Sequence, residues 1–80
     1  MDRLIQSKAR VAGSKQVLRA LGEGTLATVY VARDADPFVT RRVVLACEKA
    51  RVPVIETDSM VQLGRVCGLQ VKAAAAGILK

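Results

Sequence analysis

"VKAAAAGIL", Val71 to Leu79, is the stretch whose reading decides the fold. Alanine has the highest helix propensity of any residue, so a run of four points to a helix. The same run comes last in a chain whose strands and helices alternate, and that position points to a strand closing a sheet. We read it as the closing strand. Its small side chains would then let the flanking helices approach closely.

The alternation emerges on working back along the chain. "SMVQ", 59–62, has the form of a capping box, with Ser59 as cap and Gln62 reaching back, and opens a helix ending near Gly64 to Gly68. "VPVIE", 52–56, reads as a strand, with Pro53 suited to an edge or to the first strand residue. Asp36 before Pro37 is a helix start, cap then N1 proline. That helix runs to about Ala50. Its apolar positions (Phe38, Val39, Val43, Val44, Leu45, Ala46, Cys47) cover much of the circumference and predict packing on more than one side. "LATVYVAR", 26–33, is β-branched and aromatic, a strand. Ser14 caps a helix over Lys15–Leu21 that Gly22 and Gly24 end. Val11 and Ala12 form a brief apolar step, and residues 2–9 a short amphipathic segment. Short α and β units in alternation imply a sheet covered on both faces, a three-layer α/β/α sandwich.

The chain of 80 residues predicts one domain over 1–80, and its 51% hydrophobic content supplies an aliphatic core, since Tyr30 and Phe38 are its aromatics. A formal charge of +6 points to an anionic partner such as RNA, DNA or an acidic surface, although such a charge also serves solubility. Much of it lies early, where Arg3, Lys8, Arg10, Lys15 and Arg19 face Asp2 alone. Cys47 and Cys67 form no CxxC pair and read as small apolar side chains in a reducing compartment. No signal peptide or membrane span is expected, and the predicted location is cytoplasmic.

Catalysis finds little to stand on. Histidine is absent. Asp34 and Asp36 are the paired carboxylates, but a turn and a helix cap account for them. "GEGT", 22–25, lacks the further glycine and lysine of a phosphate loop. No enzyme, metal or cofactor is expected. Base stacking also lacks a platform, because both aromatics lie on strongly apolar elements.

"GSKQVLRA", Gly13–Ala20, carries the functional signal. At about 100° per residue, Lys15 and Arg19 project within about 40° of each other, with Gln16 beside them. Val17, Ala20 and Leu21 take the opposite arc. Lysine in a first helical turn opposes the helix dipole. This face is either solvated surface or a reader of phosphates and base edges. Leu69 and Val71, in the loop "GLQVK" at 68–72, either cover a distorted RNA or plug the core.

Three blocks, "GSKQVLRALGEG", "VYVARDADP" and "LGRVCGLQVKAAAA", together resemble the kink-turn-binding ribosomal-protein family of the archaeal L-seven-Ae type, and within it the short bacterial ribosome-associated YbxF type. The likeness spans residues 7–79 in the same order and spacing. It implies an α/β/α sandwich around a mixed four-stranded sheet. It also implies binding of the kink-turn, a sharply bent RNA duplex whose short bulge is flanked by sheared G·A pairs. Lys15, Gln16 and Arg19 would meet the G·A pairs, and Gly13 and Ser14 would bring backbone close to phosphate. Leu69, Gln70 and Val71 would pack on the bulge, and Asp36 would lie near the flipped-out nucleotide. The archaeal Asn-Glu-x-x-Lys is here Lys15, Gln16 and Arg19, and the archaeal Val-Ser-Arg-Pro is here Leu69, Gln70, Val71 and Lys72. The implied partner is a structured RNA, ribosomal or riboswitch, or the ribosome itself, bound by a monomer. The rival expectation is a small basic protein-interaction or scaffolding module without specific RNA recognition.

Overall fold

The computed structural model describes residues 10–68 and 72–80. Its elements, in order, are β1 (Arg10–Ala12), α1 (Ser14–Glu23), β2 (Leu26–Ala32), α2 (Pro37–Ala50), β3 (Val54–Thr57), α3 (Met60–Val66) and β4 (Ala75–Leu79). The strands form one sheet in the order β1-β4-β2-β3. β4 runs antiparallel to both β1 and β2, and β3 runs parallel to β2, so the sheet is mixed and four-stranded. The amphipathic segment at 2–9 lies outside the described residues.

The alanine run is a strand, and a central one. Its neighbours show why strand geometry prevails over helix propensity. Ala75 pairs with Val31, Ala76 with Tyr30 and Gly77 with Val29. In these three pairs a bulky residue of β2 faces a small one of β4, and Ala75 and Ala76 are fully buried. The propensity advantage of alanine is under about 1 kcal/mol per residue, less than ladder hydrogen bonds and burial on both faces offer. The strand starts later than expected, at Ala75. Before it, the Ala74 carbonyl accepts from Ala32 N at 2.9 Å, and Ala73 N donates to the Met60 carbonyl at 3.0 Å.

Alternation along β2 separates two cores. Val29 and Val31 face α1 and α2, meeting Val17, Ala20, Leu21, Val43 and Cys47. Tyr30 and Ala32 face α3, meeting Leu63, Ala73, Ala76 and Ile78. Helices therefore cover both faces, the three layers expected. Leu26 breaks the parity, because it belongs with Val29 and Val31. A register shift between Leu26 and Thr28 explains it: the step from Leu26 to Thr28 lies opposite the single step from Leu79 to Ile78. The extra residue is a β-bulge that turns Leu26 to the other face.

That turn packs Leu26 on Gly77. A Cβ at Gly77 would lie 2.9 Å from Leu26 Cδ2 and 3.4 Å from the Thr28 carbonyl oxygen. Gly77→Ala is expected to cost about 1–2 kcal/mol through overpacking. Gly22→Ala, helical with open space around it, should instead raise stability by up to about 1 kcal/mol. Thermal unfolding of the two variants checks both signs.

Local signals held at α2 and α3 with adjustments. Asp36 Oδ1 accepts from Phe38 N at 2.9 Å and Pro37 takes N1. Ser59 Oγ accepts from Gln62 N at 3.1 Å, while among the described residues the Gln62 side chain makes no return bond. The third strand is Val54–Thr57 rather than 52–56, and it forms an edge. Pro53 precedes it, and its carbonyl accepts from Val29 N at 3.0 Å. At α1 the expected Ser14 cap is corrected. Gly13 holds that position at φ 94°, a conformation that favours glycine, and Ser14 is already helical with no side-chain cap.

Candidate nucleic-acid interface

α1 presents one face to the core and one to solvent. Val17, Ala20 and Leu21 are buried, while Lys15, Gln16 and Arg19 are exposed. The first helical bond runs from Val17 N to the Gly13 carbonyl at 3.0 Å. With no side-chain cap, the N–H groups of Ser14, Lys15 and Gln16 point out of the helix start. No acidic residue occupies the first turn, so Lys15 adds its charge to the positive end of the helix dipole.

The exposed trio divides across the helix. Gln16 and Arg19 line a groove of about 620 Å³ with Val11, Glu23, Thr25, Leu79 and Lys80. Lys15 lines a separate groove on the other flank, of about 300 Å³, with Ser14, Leu18, Val39 and Arg42. α1 is thus a ridge with Arg19 near its crest. The angular step of about 100° from Lys15 to Gln16 requires this split.

The second groove also sets the direction of α2. Ser14 and Lys15 meet Val39 and Arg42 near the start of α2, whereas Leu21 and Gly22 meet Ala46, Lys49 and Ala50 near its end. The two helices therefore run parallel, and their positive ends share one end of the sheet. Gly13 N donates to the Ala75 carbonyl at 2.8 Å, beside the Ala32–Ala74 bond that leads to Asp36. This brings Gly13, Ser14 and Asp36 to the same end as Lys15. Leu69, Gln70 and Val71 lie outside the described residues, and Lys72, which follows them, is exposed.

The carboxylates here are structural. Asp36 caps α2, and Asp34 Oδ1 accepts from Met60 N at the start of α3 at 2.8 Å. Among the described residues the ion pair is Arg33 with Glu56 at 3.3 Å, on the surface. Lys15, Arg19, Arg41 and Arg42 thus have no carboxylate partner among the described residues. Both cysteines are free thiols. Burial pushes the Cys47 thiol up, and burial also raises Cys67 against the opposing charge of Arg10, which keeps both protonated at neutral pH.

One expectation is overturned at this surface. The apolar pattern of α2 predicts Phe38 as a packing position that offers no stacking face, yet it is 71% exposed, and Leu45 on the same face is half exposed. α2 packs through Val43 and Cys47 and leaves Phe38, Arg41, Arg42 and Leu45 outside. The residue pattern of α2 alone could not say which apolar arc faces the sheet. Tyr30, by contrast, is buried as expected.

Fold and surface define a small basic α/β protein with a cationic helical ridge and two capping rather than catalytic aspartates. The chain belongs to the Ribosomal protein L7Ae/L30e/S12e/Gadd45 family, whose sequence model matches residues 3–80. It is 44% identical over 79 residues to RNA-binding protein YbxF of Geobacillus stearothermophilus, covering 99% of this chain and 96% of that one. An RNA-binding protein of Geobacillus kaustophilus is 46% identical with the same coverage. Among solved structures, the 15.5kD RNA binding protein of Giardia lamblia superposes with a TM-score of 0.84 at 34% identity, over 91% of this chain and 62% of that one. The relatives are named as RNA-binding proteins and not as enzymes, in agreement with the low place the sequence gives to catalysis.

Proposed function

We propose that this protein binds RNA and recognises the kink-turn, with the ribosome or another structured RNA as its target, acting as a cytoplasmic monomer. The observation that carries the reading is the start of α1. Three outward N–H groups there adjoin Lys15, Gln16 and Arg19, with no acid in the turn. Backbone N–H groups and Lys15 hold phosphate and fix register. Arg19 donates two parallel bonds to a guanine edge, and Gln16 both donates and accepts there. Asp36, at the same end, faces the flipped-out nucleotide while capping α2, and Leu69, Gln70 and Val71 cover the bulge. The protein favours the kinked conformer because these groups match it and not the straight duplex, so binding shifts the RNA toward the bend. The names of the relatives support RNA as the partner.

The test compares a kink-turn RNA with the same RNA whose G·A pairs are replaced by Watson–Crick pairs. The kink-turn is expected to bind at least about 100-fold more tightly, since mismatched positions in a specific site cost about 1–3 kcal/mol each. Equal affinity would leave only a generic basic module.

A further inference from the structure

The geometry points to a second RNA contact on α2, in which Lys15 and Arg42 clamp a phosphate in the groove between α1 and α2 and Phe38 stacks on an unpaired base beside it. The inference rests on the RNA-binding reading and extends it to residues outside the α1 ridge. Lys15 and Arg42 reach one groove of about 300 Å³ from two parallel helices. Neither has a carboxylate partner among the described residues, and Arg41 adds a further exposed cation next to it. A cationic groove between two positive helix ends suits a polyanion.

Phe38 supplies what the charge alone does not. It lies four residues before Arg42, so the two side chains share one face of α2. It is 71% exposed, and its backbone N–H is taken by Asp36 Oδ1 at 2.9 Å, which holds the ring at the helix start. An exposed ring beside an arginine offers a base a face to stack on and its phosphate a charge to meet. Asp36, two residues before Phe38, is occupied as the cap. RNA is favoured over a protein partner because the groove is continuous with the α1 ridge through Lys15. The apolar part of the stripe is also only Phe38 and, two turns on, Leu45.

Affinity for a kink-turn RNA, measured across a series of salt concentrations, tests this. Arg42→Ala is expected to weaken binding about tenfold and to lower the salt slope by about one. Arg42→Lys should restore most of the affinity. Phe38→Leu should weaken binding about fivefold with the slope unchanged, because stacking releases no counterions. Arg65→Ala, an exposed arginine on the opposite face, should change affinity less than twofold. Circular dichroism confirms that each variant folds. If Arg42→Ala behaves like Arg65→Ala, or Phe38→Leu binds as wild type, the second contact is wrong and the stripe belongs to a protein partner, while the α1 reading stands. A wild-type protein that binds no RNA overturns both.

Discussion

The double variant Gln16→Ala/Arg19→Ala is expected to lose about 30- to 1000-fold in affinity for a kink-turn RNA while melting within about 3 °C of wild type. Both side chains are exposed, and neither makes a hydrogen bond or ion pair within the described chain. Their removal therefore leaves no buried group unsatisfied, and alanine suits a helix at least as well as either. In the complex the balance differs. A bidentate arginine–guanine pair is worth about 1–3 kcal/mol of discrimination, and in the proposed complex Gln16 would add a second base-edge contact. The loss should be large for the kink-turn and small for the Watson–Crick control, because nonspecific binding depends on phosphate contacts that Lys15 and the backbone retain. Fluorescence anisotropy with both RNAs, beside thermal unfolding, reads all of this. A variant that unfolds would make this face structural.

Leu63→Ala should produce the largest change in stability. Leu63 is fully buried at the centre of the core beneath α3, against Tyr30, Ala73, Ala76 and Ile78. α3 is a helix of 7 residues whose other buried position is Gly64, so Leu63 is its one fully buried large side chain, with Met60 and Val66 partly buried against the same core. Truncating a buried leucine costs about 2–5 kcal/mol. A domain of this length has roughly 4–12 kcal/mol in total, so the melting temperature should fall by more than about 10 °C. α3 leads to residues 69–71, so RNA affinity should fall as well. Saturating RNA should restore part of the melting temperature by mass action. A fall of less than about 3 °C would show that α3 is held by its caps, Ser59 and Asp34, instead.

The alanine run shows how far sequence reasoning reaches. Propensity and position disagreed there, and position prevailed because Tyr30, Val29 and Val31 needed small partners across the ladder. The exposure of Lys15, Gln16 and Arg19 was readable from helical period, since an apolar arc of Val17, Ala20 and Leu21 can face only one way. Phe38 was not readable. Apolar residues encircle much of α2, and only contact with the sheet shows that Val43 and Cys47 form the buried arc. The bulge at Ala27 was invisible for a similar reason, since it is a mismatch between two strands and no property of either alone. The second role of Asp34, capping a helix 26 residues away, likewise exists only in three dimensions.

By itself the sequence determined the α/β alternation, the caps at Asp36 and Ser59, the core face of α1 and the cationic ridge. All of these follow from periodicity and short-range chemistry. Tertiary structure alone decided that α1 and α2 run parallel with their positive ends together, that Lys15 and Gln16 open onto different grooves, and that Arg42 and Phe38 join the surface. Those outcomes depend on where the sheet places one helix against another, and no local pattern encodes that distance.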